Sequence, residues 1–323
     1  MMNYCRITVL ALWSCCLLVL PDGFAKEAET TSIWKVTSED ESGTVFLAGS
    51  IHMLSEEDHP LPVLFEQAYN SSDELVLEIA SADDPAAEAK ALRMGMYGKQ
   101  GQISDDLTPA TYKKLRQFLT DTGLPADAMD KFRPWMAGMT LSITEMMKLG
   151  ARPDLGVDNF FESKAIMDSK PVRGLETVDF QLGIFADLDK NMQEQMLLNT
   201  LSEIASMEED FPKMVGAWRR GDEKALGAII LESLKTFPEL RKDLLDRRNQ
   251  RWVKQVSAFI KEEKTFMVVV GAGHMVGKKG LLQLFKRKGL RVERWHGQKP
   301  KKAEKKRFIP VGLPHGISML SCD

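Results

Sequence analysis

Only five histidines occur in the 323 residues, and two of them close the same short motif. His52 ends Gly49-Ser50-Ile51-His52 after an apolar run, and His274 ends Gly271-Ala272-Gly273-His274 after Phe266 to Val270. Glu78 follows Leu75-Val76-Leu77, and Glu176 stands in Gly174-Leu175-Glu176-Thr177 after Pro171 to Arg173. Two imidazoles and a carboxylate make a three-ligand metal site that keeps positions for water, as catalytic sites require. A divalent ion held this way lowers the pKa of that water and polarises a carbonyl. Imidazole and carboxylate ligands do not choose sharply among Mn, Co and Zn. Glu78 is expected as a ligand or as the general base for the water. The plainer reading is that both histidines cap turns and satisfy backbone groups.

These side chains need strands to carry them. The residues Ile33 to Val36 and Thr44 to Ala48 read as strands flanking a turn at Asp40 to Gly43. Leu75 to Ile79 and Phe266 to Val270 are compact apolar runs of strand length, suited to a parallel sheet covered on both faces. Val292 to Trp295 reads as a closing strand and Pro171 to Arg173 as a short one. All four polar groups then sit at the carboxyl ends of strands, the edge where open α/β sheets bind ligands. The plan strand, Gly-x-x-His, helix, turn, strand occurs twice, over Thr44 to Ile79 and Phe266 to Trp295. The expected fold is α/β, a mostly parallel sheet built from the N- and C-terminal halves, with a helical insertion over about 85–262.

A helix is expected from Glu239 to Glu263, with an earlier one from Asn191 to Phe211. In the former, Leu240, Leu244, Leu245, Trp252, Val253 and Val256 define an apolar face, and Arg248 and Asn249 fall inside it. A guanidinium on a buried stripe needs a partner. Arg248 therefore either pairs with Glu176 or an aspartate to hold helix to sheet, or binds a substrate carboxylate or developing oxyanion.

Composition narrows the classes. Hydrophobic residues make up 44% and charged residues 28%, which excludes collagen, coiled coil and wholesale disorder. A net charge of −3 offers no global field for nucleic acid. Residues 1–25 read as a secretory signal: Arg6, an apolar run from Ile7 to Leu20, then small residues before cleavage near Ala25. An exported, periplasmic protein is expected, keeping Cys322 as its single cysteine, so no internal disulfide is possible. The domain then spans 26–296. Residues 297–323 read as a basic flexible tail with possible contact to an anionic membrane surface.

Other motifs fail on inspection. A dinucleotide fingerprint from Gly271 needs glycine where Val276 stands. A phosphate loop ending at Lys278 needs Ser or Thr where Lys279 stands.

Together, Gly49 to His52, Glu78, Arg133-Pro134-Trp135, Gly156-Val157-Asp158, Gly174 to Thr177, Arg248-Asn249 and Gly271 to His274 resemble the TraB/GumN (TraB/PrgY/GumN, Tiki-related) family, over residues 33 to 295. The resemblance implies an α/β fold akin to erythromycin-esterase and ChaN haem-binding proteins. It also implies a metal-dependent peptidase, as described for animal members that use two Gly-x-x-His motifs and a glutamate. Those roles fall on His52, His274 and Glu78, with Arg248 as a further site residue. Related signal-peptide inhibitors and polysaccharide-locus proteins imply non-peptidase roles. The leading expectation is thus an exported metal-dependent hydrolase acting on a peptide or small molecule. The competing one is a non-catalytic periplasmic binding protein for a peptide, haem or small ligand, in which Arg248 and Glu176 serve affinity.

Overall fold

The computed structural model describes residues 30–41, 43–80 and 86–297. The expected signal segment and all but the first residue of the expected tail lie outside them. Strands β1 (Ile33–Thr37) and β2 (Thr44–Ser50) pair antiparallel across the anticipated turn, Ile33 opposite Ala48. Helix α1 (Val63–Asn70) leads to β3 (Glu74–Leu77). Next come α2 (Ala87–Gly95), α3 (Pro109–Asp121), α4 (Pro134–Lys148), α5 (Val157–Met167) and β4 (Val172–Gly174). Helices α6 (Val178–Ala186), α7 (Lys190–Arg219), α8 (Glu223–Ser233), α9 (Pro238–Arg241) and α10 (Arg247–Phe259) follow. The last elements are β5 (Thr265–Gly271), α11 (Leu281–Arg287) and β6 (Arg291–Arg294).

The six strands form one mixed sheet in the order β4-β3-β5-β2-β1-β6. The block β4-β3-β5-β2 is parallel, and β1 pairs antiparallel with both β2 and β6. The sheet therefore draws strands from both ends of the chain; it is mixed, but only β1 runs against the other five strands, so it is mostly parallel as expected. The reversal of β1 follows from its short turn into β2, while β6 returns to the direction of the parallel block and pairs with β1 from the far end of the chain. The two strands that carry Gly-x-x-His, β2 and β5, lie side by side, Ser50 beside Gly271.

Burial explains the strand composition. Six consecutive residues of β5, Phe266 to Gly271, are buried, so both faces are covered and apolar residues need not alternate with polar ones. Phe266 stacks on Phe259 of α10, while Phe65, Phe161 and Trp218 join α1, α5 and α7 in one aromatic cluster. Each such buried side chain contributes about 1.5–3 kcal/mol of transfer free energy. A second, smaller core of Leu115, Leu119, Leu141 and Leu197 belongs to α3, α4 and α7.

Two helix boundaries differ from expectation. Helix α7 continues through Pro212 to Arg219, because burying Val215, Ala217 and Trp218 outweighs the one N–H that proline lacks. The expected long helix is interrupted by a π-helical turn, Lys242–Asp246, immediately before Arg247. Such turns recur at functional sites. Among the described residues no helix is long and apolar enough to cross a membrane.

Candidate functional site

The site grows from the carboxyl edge of the parallel block. His52 leaves β2, Glu78 leaves β3, Glu176 leaves β4 and His274 lies in the 3₁₀ turn after β5. Gly271 marks their meeting point. A methyl group placed on it would touch Glu78 Oε1 and His52 Nε2 at 3.4 Å and His274 Cδ2 at 3.7 Å. The structure thus brings together all three residues expected to hold a metal.

Each imidazole is held through its Nδ1. Asn249 Oδ1 lies 2.7 Å from His274 Nδ1, while Asn249 Nδ2 donates to the Lys279 carbonyl at 3.0 Å. That orientation makes the Asn249 oxygen the acceptor, so His274 carries its proton on Nδ1 and leaves the Nε2 lone pair facing the site. His52 Nδ1 lies 3.1 Å from Asp158 Oδ1, which also accepts from Ser50 Oγ at 2.6 Å. Asp158 stands in the first turn of α5, where a carboxylate is favoured by the helix dipole. The helix comes this close because Gly156 has no side chain: a Cβ there would sit 2.1 Å from the His52 carbonyl oxygen. Metal-ligating histidines commonly have this second partner on the other ring nitrogen.

Arg248 ties the carboxylates together from α10. Its Nη2 lies 2.5 Å from Glu78 Oε2 and from Glu176 Oε1, and its Nε donates to Glu176 Oε1 at 2.8 Å. Nη1 donates to the Leu244 carbonyl at 2.9 Å and faces His274 Nε2 at 3.2 Å. The π-helical turn places that Leu244 carbonyl. A guanidinium has five N–H donors, and these contacts occupy all of them. Arg248 is therefore a positioning residue in this state, without a free donor for a substrate oxyanion. The pairing with Glu176 is the structural alternative expected from sequence, extended to Glu78.

The protonation pattern follows from burial and these charges. Burial works to raise Glu78, but His274, Arg248 and His52, with the Gly271 N–H donating to Oε1 at 2.7 Å, bring it down to about 2. Burial drives His274 down to about 3 against the pull of Glu78. Desolvation by its neighbours lowers His52, whose side chain is nonetheless 59% exposed, and the Asp158 carboxylate outweighs it and raises the ring to about 9. Glu176 moves upward through burial, which Arg248 opposes. Its Oε2 is buried without a hydrogen bond; Arg251 Nη2 stands 3.7 Å away.

Among the described residues no group of three or more His, Cys, Asp or Glu side chains is drawn into a metal-ligand cluster. The inward atoms of Glu78 and His274 face Arg248 instead. The donor set nevertheless fits a divalent ion in type: His52 Nε2 and Glu78 Oε1 border the space over Gly271, His274 Nε2 lies 3.7 Å from that same Glu78 oxygen, and both Nδ1 atoms are tied back. Occupation requires Arg248 Nη1 to release His274 Nε2.

Three participants carry no assigned role in the sequence reading. Asp158 belongs to a motif noted there, but 106 positions separate it from His52, and nothing local links the two. Gln181 donates to Glu78 Oε2 at 2.9 Å from α6, with no sequence signal beyond following the Thr177 cap. Trp252 belongs to the expected apolar face and is also the platform under both Arg248 and His274, at 4.6 and 4.4 Å.

The chain is similar to the uncharacterized protein YbaP of Escherichia coli (strain K12), 25% identical over 244 residues, covering 74% of this chain and 87% of that one. YbaP of Shigella flexneri matches to the same extent. No solved structure matches. The model of the TraB/PrgY/gumN family matches residues 32–294, which include every strand and every side chain of the site just described. The chain belongs to the TraB/PrgY/gumN family.

Proposed function

We propose that this chain is an exported metal-dependent hydrolase, a peptidase first, with His52, His274 and Glu78 as the ligand set. The observation that carries the reading is the paired imidazoles on adjacent strands. Each is anchored through Nδ1, by Asp158 or Asn249, and both border the same space as Glu78 Oε1. When bound, a Mn-, Co- or Zn-class ion supplies Lewis acidity for attack of water on a carbonyl.

The chain's own residues divide the remaining work. Glu78, lowered to about 2, stays ionised and suits a ligand better than a proton acceptor. Glu176, raised by burial, is the carboxyl better suited to hold a proton at this edge. Arg248 fixes both carboxylates, and Arg251, half-exposed beside Glu176, is the guanidinium open to a substrate carboxylate. A fold akin to erythromycin-esterase and ChaN proteins belongs to this reading. So do a signal at 1–25, a periplasmic address and anionic-surface contact by the basic tail, all on the sequence features above.

The competing reading, a non-catalytic binder of a peptide, haem or small ligand, is favoured by one observation. Glu78 Oε2, Glu176 Oε1 and His274 Nε2 at the sheet edge already take their hydrogen bonds from Arg248. A peptide-library screen with added Mn²⁺ or Co²⁺ separates the two. Cleavage that needs the ion and disappears in Glu78→Gln supports the hydrolase; retention of ligand without turnover supports the binder.

A further inference from the structure

Beside the sheet edge, α10 and α11 border an open groove of about 490 Å³. Its floor is apolar, Val253 and Leu284, and its walls carry Arg247, Arg251 and Lys254 from α10 and Arg287 and Lys288 from α11. The α10 cations stand at i, i+4 and i+7, one stripe of the helix facing the basic end of α11. Among the described residues no carboxylate lines the groove.

Like charges at these spacings repel, and little within the described residues offsets them. Arg247 pairs with Asp243 one turn earlier, and Arg251 reaches Glu176 only at 3.7 Å. Arg287 donates to the Lys278 carbonyl, a neutral acceptor. Lys254 and Lys288 have no anionic partner among the described residues. The concentration is local: residues 26–295 carry a net charge of −7. A soluble surface ordinarily intersperses both signs. Five cations around an apolar floor, in a recess large enough for a small ligand, instead match an anion whose charged groups meet the rim and whose body rests on Val253 and Leu284.

We infer that the α10–α11 groove is a binding site for a phosphate-bearing anion, a second site that adjoins the sheet edge through Arg251 and stands whether or not that edge is catalytic. The phosphate chemistry has two sources, a free oligophosphate or a phospholipid headgroup, and the probes separate them. The full chain is titrated calorimetrically with tripolyphosphate and co-sedimented with vesicles of phosphatidylglycerol and phosphatidylcholine. Both are repeated with Lys254→Ala/Lys288→Ala and with a control of equal charge change, Lys113→Ala/Lys114→Ala, exposed on α3.

Saturable tripolyphosphate binding that the groove variant weakens about tenfold, with the control unchanged, assigns a soluble oligophosphate. The same pattern with vesicles alone assigns a lipid headgroup. The basic tail is present in every protein compared, so the difference between variants reports the groove. Absence of saturable binding to either probe, or equal weakening by groove and control pairs, overturns the inference.

Discussion

A single nitrogen of Arg248, Nη2, lies 2.5 Å from both Glu78 Oε2 and Glu176 Oε1. One buried guanidinium thus holds two carboxylates that leave neighbouring strands, and a helix is pinned to the sheet edge through its charge. Removing one partner of a buried ion pair leaves the other uncompensated and costs about 3–5 kcal/mol. Arg248→Met is expected to lose that much by urea denaturation. Arg248→Lys recovers only part, because one ammonium cannot match five directed donors.

Gly271 supplies a sharper separation of site from fold. Its backbone, φ −48° and ψ 134°, suits any residue, and an added methyl would meet its neighbours at 3.4 Å or more. Gly271→Ala should therefore fold with stability within about 1 kcal/mol of the parent. It should nonetheless lose divalent-metal binding, since the methyl fills the space between Glu78 and the two imidazoles. Metal titration beside a thermal melt reads both quantities.

The combined contribution of the two histidines to the stability of the metal-free protein should be greatest near pH 6.5, the ordinary histidine value, because they shift in opposite directions. His274 is lowered to about 3, so its stabilisation is complete above 6.5 and is lost as pH falls toward 3. Glu78, lowered from 4.5 to about 2, adds a loss over that lower window. Glu176, shifted the other way, partly offsets it. His52 is raised to about 9, so its stabilisation is complete below 6.5 and is lost as pH rises to 9. Denaturation midpoints across pH should show both limbs, with His52→Gln flattening the alkaline one.

Asp158 orients His52 and keeps it protonated in the metal-free protein. Asp158→Asn should move the His52 titration, followed by NMR, downward from about 9. Metal affinity at high pH, where the ring is neutral in both proteins, should fall about 10–100-fold through loss of the orienting carboxylate. An unchanged titration would place His52 outside Asp158's influence.

The strands and the Gly-x-x-His turns were readable because compact apolar runs followed by glycine report a buried strand and its exit. Arg248 was readable for the opposite reason: a charge inside an apolar helical stripe violates its own periodicity. The partners were harder. Asp158 reaches His52, and Gln181 reaches Glu78, across about a hundred positions and through helices whose docking depends on the assembled sheet. The π-helical turn before Arg248 and the pairing of β6 with β1 from the far end of the chain also depend on tertiary packing. Sequence periodicity cannot register a single extra residue in a turn or which distant strand a neighbour pairs with.

Anomalous diffraction at the cobalt edge, from crystals of the full chain soaked with Co²⁺, tests the proposed site most directly. The expected result is one strong peak over Gly271, within coordination distance of His52 Nε2, His274 Nε2 and a Glu78 oxygen, and absent from His52→Ala/His274→Ala. No peak at that position, or equal Co²⁺ binding by the double variant, would contradict a two-histidine, one-glutamate metal centre.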